Sequence, residues 1–384
     1  MKHILFILTT FLTLACSGQE PKQDKFVLTV SPIIDKIDKT NQAIIETLTG
    51  FLKTKNSSLT ENKYWVQSDF QKFIYPYLDI YNIENSKYGK DFYRPTLVEI
   101  IPTEKPNQKI VKLAFIGHNN ETKENQLKSI YNLIADIHQD KVLFSRYLVF
   151  STEKWKTESK ESLTYKISPN KKVNEKEIAE QQKDIDKICN FFQCKPISIT
   201  YFSCVNPKEL FEIKGFDYNP MMYVDKTGGL ADYGNIIFSG NNSEIYTHEI
   251  IHIYTSNLFP KIDKFIDEGL ATIMAGSGKY SYEWHRKKLD KFLNENKDYN
   301  FATHTDAYER NYFENETSIP YLTSALILER TLRVYGKEKL MELLKSENEL
   351  WTTLKTVGLT KENINEELRK QIKLPLTSVW QYGG

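Results

Sequence analysis

Several things are scarce in these 384 residues, and each scarcity narrows the reading. Net charge is nearly absent: lysine plus arginine balance aspartate plus glutamate to +1. No broad field is therefore present to draw in nucleic acid or anionic lipid. Beyond the N-terminus no stretch is long and apolar enough to span a bilayer. Internal repeats and low-complexity tracts are missing, which excludes solenoids. Cysteine is sparse at four, and none of the four lies in a C-x-x-C pair, so a cysteine-based zinc site has no support. What is present, 40% hydrophobic and 26% charged residues, is ordinary globular composition. The length suggests two domains.

The first residues stand apart. Lys2 and His3 precede an apolar run from Ile4 to Leu14, too short for a permanent span. It ends in Leu14-Ala15-Cys16, followed by polar Ser17-Gly18-Gln19-Glu20. This pattern resembles a bacterial lipobox, although Thr13 stands where leucine is commoner. The resemblance implies a signal peptide over residues 1–15, lipidation of Cys16, a tether over 16–28, and an exported protein anchored to a bacterial membrane at the periplasmic face or cell surface. In such a compartment Cys189, Cys194 and Cys204 have room for one disulfide, with the odd thiol left free.

Residues 29–170 are predicted to form an α+β domain. An amphipathic helix starts at Thr40 or Asn41 and places Ile44, Ile45, Leu48 and Leu52 on one face. Strand patterns follow at Thr96–Ile101, Ile110–Ile116, Ser129–Ile137, Val142–Phe150 and Leu163–Ile167. One helix and a run of antiparallel strands imply a curved sheet wrapped around the helix, loosely similar to the nuclear-transport-factor-2-like cone. The lysines at 171 and 172 mark the expected boundary. Residues 171–384 then read as a helix through Ile178, Ile185, Ile188 and Phe192, a strand at Ile197–Phe202, a strand at Asn235–Ser239, and mostly helices beyond.

Asn241-Asn242-Ser243 offers capping side chains for a helix over Glu244–Leu258. Within it stands His248-Glu249-Ile250-Ile251-His252. Residues four apart on a helix are offset by about 40° and roughly 6 Å along the axis, so both imidazoles share a face. Two ring nitrogens can then meet one tetrahedral zinc ion, while Glu249 points aside and flanks the open position. Two histidines leave zinc one protein ligand short. Glu268, in Phe265-Ile266-Asp267-Glu268-Gly269-Leu270-Ala271, is the candidate, carried on a second helix from about Lys264. Gly269 would let the two helices pass closely. Asp267 competes for the ligand position, and His285 and His304 are within reach of the region in sequence.

His248-Glu249-x-x-His252 followed by Glu268-Gly269-x-Ala271 resembles the gluzincin metallopeptidases, especially the peptidase-MA-like branch. The likeness extends over roughly residues 172–345 and includes the tyrosine-led helix from Tyr321. Two features depart from the pattern. The interval between His252 and Glu268 is shorter than in the aminopeptidase branch, and Thr272 stands where thermolysin-type members carry an aspartate. The resemblance implies one zinc ion held by His248, His252 and Glu268. It also implies Glu249 as general base in peptide-bond hydrolysis, with a peptide or protein as substrate. Tyr321, Tyr335 and Tyr280 are candidates to stabilise the oxyanion, and the strand at Asn235–Ser239 is a candidate sheet edge for an extended peptide. Two other readings stand beside this one: a degenerate peptidase domain serving as a binding or assembly module, and hydrolysis of a substrate other than a peptide.

Overall fold

The computed structural model describes residues 26–139, 141–309, 312–313 and 317–382. Cys16 and the signal-like run lie outside the described residues. Among those described, eleven α-helices and two mixed sheets form an α+β protein, and no helix is long and apolar enough to cross a membrane.

The chain opens with a two-residue strand β1 (Thr29–Val30) and helix α1 (Lys39–Thr54). Asp38, not Thr40 or Asn41, caps α1 by accepting the Asn41 N–H. A short helix α2 (Gln67–Phe73) follows, then the long strands β2 (Tyr93–Pro102), β3 (Gln108–His118), β4 (Asn125–His138) and β5 (Lys141–Arg146). The sheet runs β1-β2-β3-β4-β5, antiparallel except for β1 on β2. Register shifts at Leu97/Glu99 and at Phe115/Ile116 let it bend. Ile44, Leu48, Phe51 and Leu52 of α1 lie in one core with Leu97, Val111, Leu113, Phe115 and Leu133 of the sheet.

The strand expected over Val142–Phe150 stops at Arg146, and Tyr147–Ser151 turns into a short helix, α3. Strands β6 (Lys156–Lys160) and β7 (Leu163–Ile167) then start the second sheet. The changeover between sheets thus precedes residue 156, ahead of the lysines at 171 and 172. Helix α4 (Glu175–Phe192) crosses to β8 (Ile199–Ser203), which pairs in parallel with β7. After α5 (Pro207–Lys214), β9 (Phe216–Tyr218) returns to the first sheet and pairs with β4. Strands β10 (Gly229–Asp232) and β11 (Ile236–Ser239) complete the second sheet in the order β10-β11-β8-β7-β6.

The remaining chain is helical: α6 (Thr247–Leu258), α7 (Lys264–Ala275), α8 (Tyr282–Glu295), α9 (Ile319–Leu344), α10 (Leu350–Lys355) and α11 (Ile364–Gln371). Residues Tyr165, Ile199, Tyr201 and Ile237 turn one sheet face to α4 and α6. Phe202, Ile236 and Phe238 turn the other face to Phe73 and Leu148 of the N-terminal part. The second sheet is therefore sandwiched between the helices and the first sheet's unit.

Cys189, Cys194 and Cys204 are all free thiols, so the disulfide expected among them is not formed. The Cys189 sulfur instead lies 3.4 Å from the Tyr254 hydroxyl.

Candidate metal centre

Helix α6 begins three residues later than Asn241-Asn242-Ser243 suggests, and no side chain caps it. The reason lies in α4. Glu177 accepts the Ser243 hydroxyl at 2.6 Å and the Glu244 N–H at 2.8 Å, and Gln181 accepts the Tyr246 N–H at 2.6 Å. These side chains hold residues 243–246 outside the helix. Buried Glu244 is in turn paired with Lys171 at 2.8 Å. The entry to α6 is thus fixed from outside the helix.

After Leu258 the chain turns, and Asp263 caps α7 by accepting the N–H groups of Phe265 and Ile266. The second helix begins at Lys264, as the sequence predicts. Gly269 is needed for a close approach, but the neighbour differs from the expected one. A β-carbon there would come within 2.1 Å of the Ser324 hydroxyl on α9, so the glycine seats α7 against α9 and not against α6.

The two helices bring Glu268 to both imidazoles. Its Oε2 lies 3.4 Å from His248 Nε2 and 3.4 Å from His252 Nε2. The opposite ring nitrogens are already engaged: His248 Nδ1 with the Gly276 carbonyl at 2.7 Å, and His252 Nδ1 with Asp267 Oδ2 at 2.9 Å. With the Nδ1 protons donated there, both Nε2 atoms turn lone pairs toward a carboxylate oxygen. Three acceptors facing one another repel unless a proton or cation sits among them. Zinc bonds of about 2.0–2.1 Å in a tetrahedron set neighbouring donors roughly 3.3–3.4 Å apart. The donor set and its spacing fit that ion.

Asp267, weighed from the sequence as a rival ligand, occupies a different place. It holds His252 from behind, accepts the Thr255 hydroxyl at 2.6 Å, and pairs with Lys264 at 3.0 Å. Such an outer carboxylate orients a ligating imidazole and raises its basicity. Lys264 also reaches Glu268 Oε1 at 3.1 Å. Burial opposes a charge on His252, yet the hydrogen bonds with Asp267 and Glu268 outweigh it and raise its pKa to about 10. Burial likewise works against ionised Glu268, but the two histidines and Lys264 hold its pKa far below the usual range. The surroundings favour positive charge at His252.

Glu249 lies at the same corner, on the side of β10. Its donor atom and those of the two histidines all lie within 4.8 Å of one another. Its Oε2 accepts the Ala231 N–H at 2.7 Å. The strand at 236–239, expected as a sheet edge, is instead paired on both sides, with β10 and with β8. The edge strand next to α6 is β10. Tyr246, not singled out from sequence, packs against β10 near Glu249. Gly229 makes room for it, since a β-carbon there would come within 2.5 Å of its ring. Burial foremost, then the charge of Glu249, pushes the Tyr246 phenol's pKa well above its usual value.

The other candidates sort by position. Tyr321 stacks beside His248 with ring centroids 6.5 Å apart. Tyr280 stacks on Trp284 at 3.8 Å, and exposed Tyr335 lies against Gly358. His285 is fully buried and meets the Ser277 carbonyl at 2.8 Å, bracing the loop after α7. His304 pairs with Glu309 at 2.6 Å and stacks on Tyr299. Neither belongs to the described group that could hold a metal ion, His248, Glu249 and His252.

A cleft of about 500 Å3 opens beside His248, lined by Tyr246, Met274, Gly276, Lys279 and Trp380. A cavity of about 550 Å3 lies between the two sheets and touches neither histidine. Signals for the outer partners existed in the sequence only as helical offsets: Thr255 three after His252, Lys264 four before Glu268. No protein-family model, curated protein or solved structure matches this chain.

Proposed function

We propose that the chain is a zinc-dependent peptidase, with His248, His252 and Glu268 holding one ion and Glu249 acting as general base. One observation carries the reading: Glu268 Oε2 lies 3.4 Å from the Nε2 atoms of both His248 and His252 while the outer ring nitrogens are already engaged. Zinc bound there would supply Lewis acidity and lower the pKa of water. Glu249 takes the proton of the attacking water and hands it to the leaving nitrogen. Tyr321, beside His248, donates to the oxygen on which charge develops. Edge strand β10 offers backbone groups to an extended peptide entering along the cleft. The gluzincin likeness of the two motifs supports this assignment and the zincin-like reading of the C-terminal part. In the N-terminal part, a helix laid on a bulged antiparallel sheet supports the cone-like comparison. Export and anchoring through Cys16 belong to the same proposal, on the strength of the lipobox likeness.

The test is metal analysis and peptide-library hydrolysis of the wild type beside Glu249→Gln and Glu268→Ala. Glu249→Gln keeps one zinc and loses turnover by about 10²–10⁴-fold, whereas Glu268→Ala loses zinc. Full turnover in Glu249→Gln would remove the base assignment. Zinc bound by a wild type that cleaves nothing would leave a binding module.

A further inference from the structure

Strand β10 is four residues long and pairs only with β11 among the described residues. A short edge strand held on one side frays readily unless something else restrains it. Here the N-terminal part grips the chain where β10 ends, at three consecutive residues. Asp232 Oδ2 accepts Arg146 Nη2 at 2.7 Å and lies 3.3 Å from Lys214 Nζ. Tyr233 meets Tyr75 edge to face, ring centroids 4.5 Å apart. Gly234 abuts the Lys72 backbone so closely that a β-carbon would fall 2.3 Å from its carbonyl oxygen. Arg146 is itself buried, lying over the rings of Phe73 and Phe238 and beside Asp79. Immediately before this grip stands Ala231, whose N–H is the donor to Glu249.

We propose that Asp232 is a positioning residue: clamped by Arg146 and Lys214, it fixes the edge strand whose Ala231 N–H holds the Glu249 carboxylate. This rests on the peptidase reading and gives the N-terminal part a role in the reaction, beyond spacing the site from a membrane. Arg146 is delivered by the end of β5, and Tyr75 and Lys72 by the segment of α2 and its exit. The first sheet's unit therefore sets the position of a group in the second. A buried charge cluster is a weak source of stability, since desolvation offsets its attraction. Fixing register and place is the use that such clusters serve best.

The experiment uses the full chain in three forms: Asp232→Asn, Ala231→Pro and the double substitution. Proline removes the donor without touching the charges, and an edge-strand N–H turned away from the ladder tolerates it. Hydrogen exchange at the Ala231 amide is read in wild type and Asp232→Asn, with zinc content, kcat and KM for all forms. Asp232→Asn is expected to speed Ala231 exchange about tenfold or more while leaving the α6 amides protected. Zinc stays at one per chain, and kcat falls about tenfold with KM little changed. Ala231→Pro shows the same kcat loss, and the double substitution adds no more, because both act through one hydrogen bond. Unchanged Ala231 exchange in Asp232→Asn overturns the clamp, whether or not the wild type hydrolyses peptides. Multiplying losses in the double substitution overturn the route through Ala231. A zinc-loaded wild type without turnover overturns the peptidase reading, and the positioning role falls with it.

Discussion

Two groups of buried charge flank strand β10, and they are built differently. On the side of the first sheet, Arg146 and Lys214 face Asp79 and Asp232, two cations against two anions. On the side of α6 and α7, Asp267 and Glu268 share Lys264 as their nearby lysine, with Glu249 close by. The first group is balanced within the protein, so it serves as a joint. The second carries a surplus of acceptors around two imidazoles, so its balance is supplied by a proton or a metal ion. The same chemistry of paired charges thus gives a fastening at the end of β10 and, beside it on α6 and α7, a group whose acceptors a proton or metal ion would balance.

The contrast is open to direct test. The largest effect is expected at the joint. Arg146→Met leaves two partly buried aspartates sharing one lysine, and breaking such a group costs up to about 3–5 kcal/mol. Thermal or denaturant unfolding should show that loss, with zinc content unchanged below the transition. An Arg146→Met chain as stable as wild type would show the group to be dispensable. A smaller effect belongs to the metal corner. Asp267→Asn keeps the hydrogen bond to His252 but weakens its orientation and basicity, and zinc affinity should fall about 10–100-fold. Competition with a chromophoric chelator measures it, and unchanged affinity would detach Asp267 from the site.

The smallest and sharpest contrast is in pH. In chelator-treated protein His252 has its pKa raised to about 10, against about 6.5 when unfolded. Its contribution to stability is full below the lower value and is lost as pH rises through the upper one. Burial opposes ionisation of Asp232, but Lys214 and Arg146 outweigh it and lower its pKa to about 2, against about 3.9 unfolded. Its contribution is full above 3.9 and is lost as pH falls toward 2. Tm profiles should therefore lose their alkaline slope in His252→Gln and part of their acid slope in Asp232→Asn. Matching slopes in the two variants would erase the distinction.

How much of this was legible beforehand differs by range of contact. The spacing of His248, Glu249 and His252 is a local property of one helix, and it can be read wherever that helix lies. Glu268 followed from the likeness of its motif, and a helix start near Lys264 from the turn-forming residues between the two motifs. Periodicity located α1 and α4, whose buried residues recur at helical intervals. Other expectations failed where a distant neighbour decided. Ser243 looked like a cap, but Glu177 of α4 took its hydroxyl. Val142–Phe150 read as one strand, but β4 pairs only as far as Arg146, which then turns inward to Asp232. Gly269 signalled a close approach without naming Ser324 as the neighbour.

From the order of residues alone came the pieces whose geometry lies within one turn or one helix: the paired imidazoles, the glutamate between them, the amphipathic faces. Only the assembled chain could decide that Asp267 lies behind His252, bonded to its Nδ1, and not beside the Nε2 atoms. The same holds for β10 as the edge, and for the first sheet reaching across to hold it. Those outcomes depend on contacts between residues some fifteen to eighty-six positions apart, and no helical or strand period encodes which of many compatible partners will arrive.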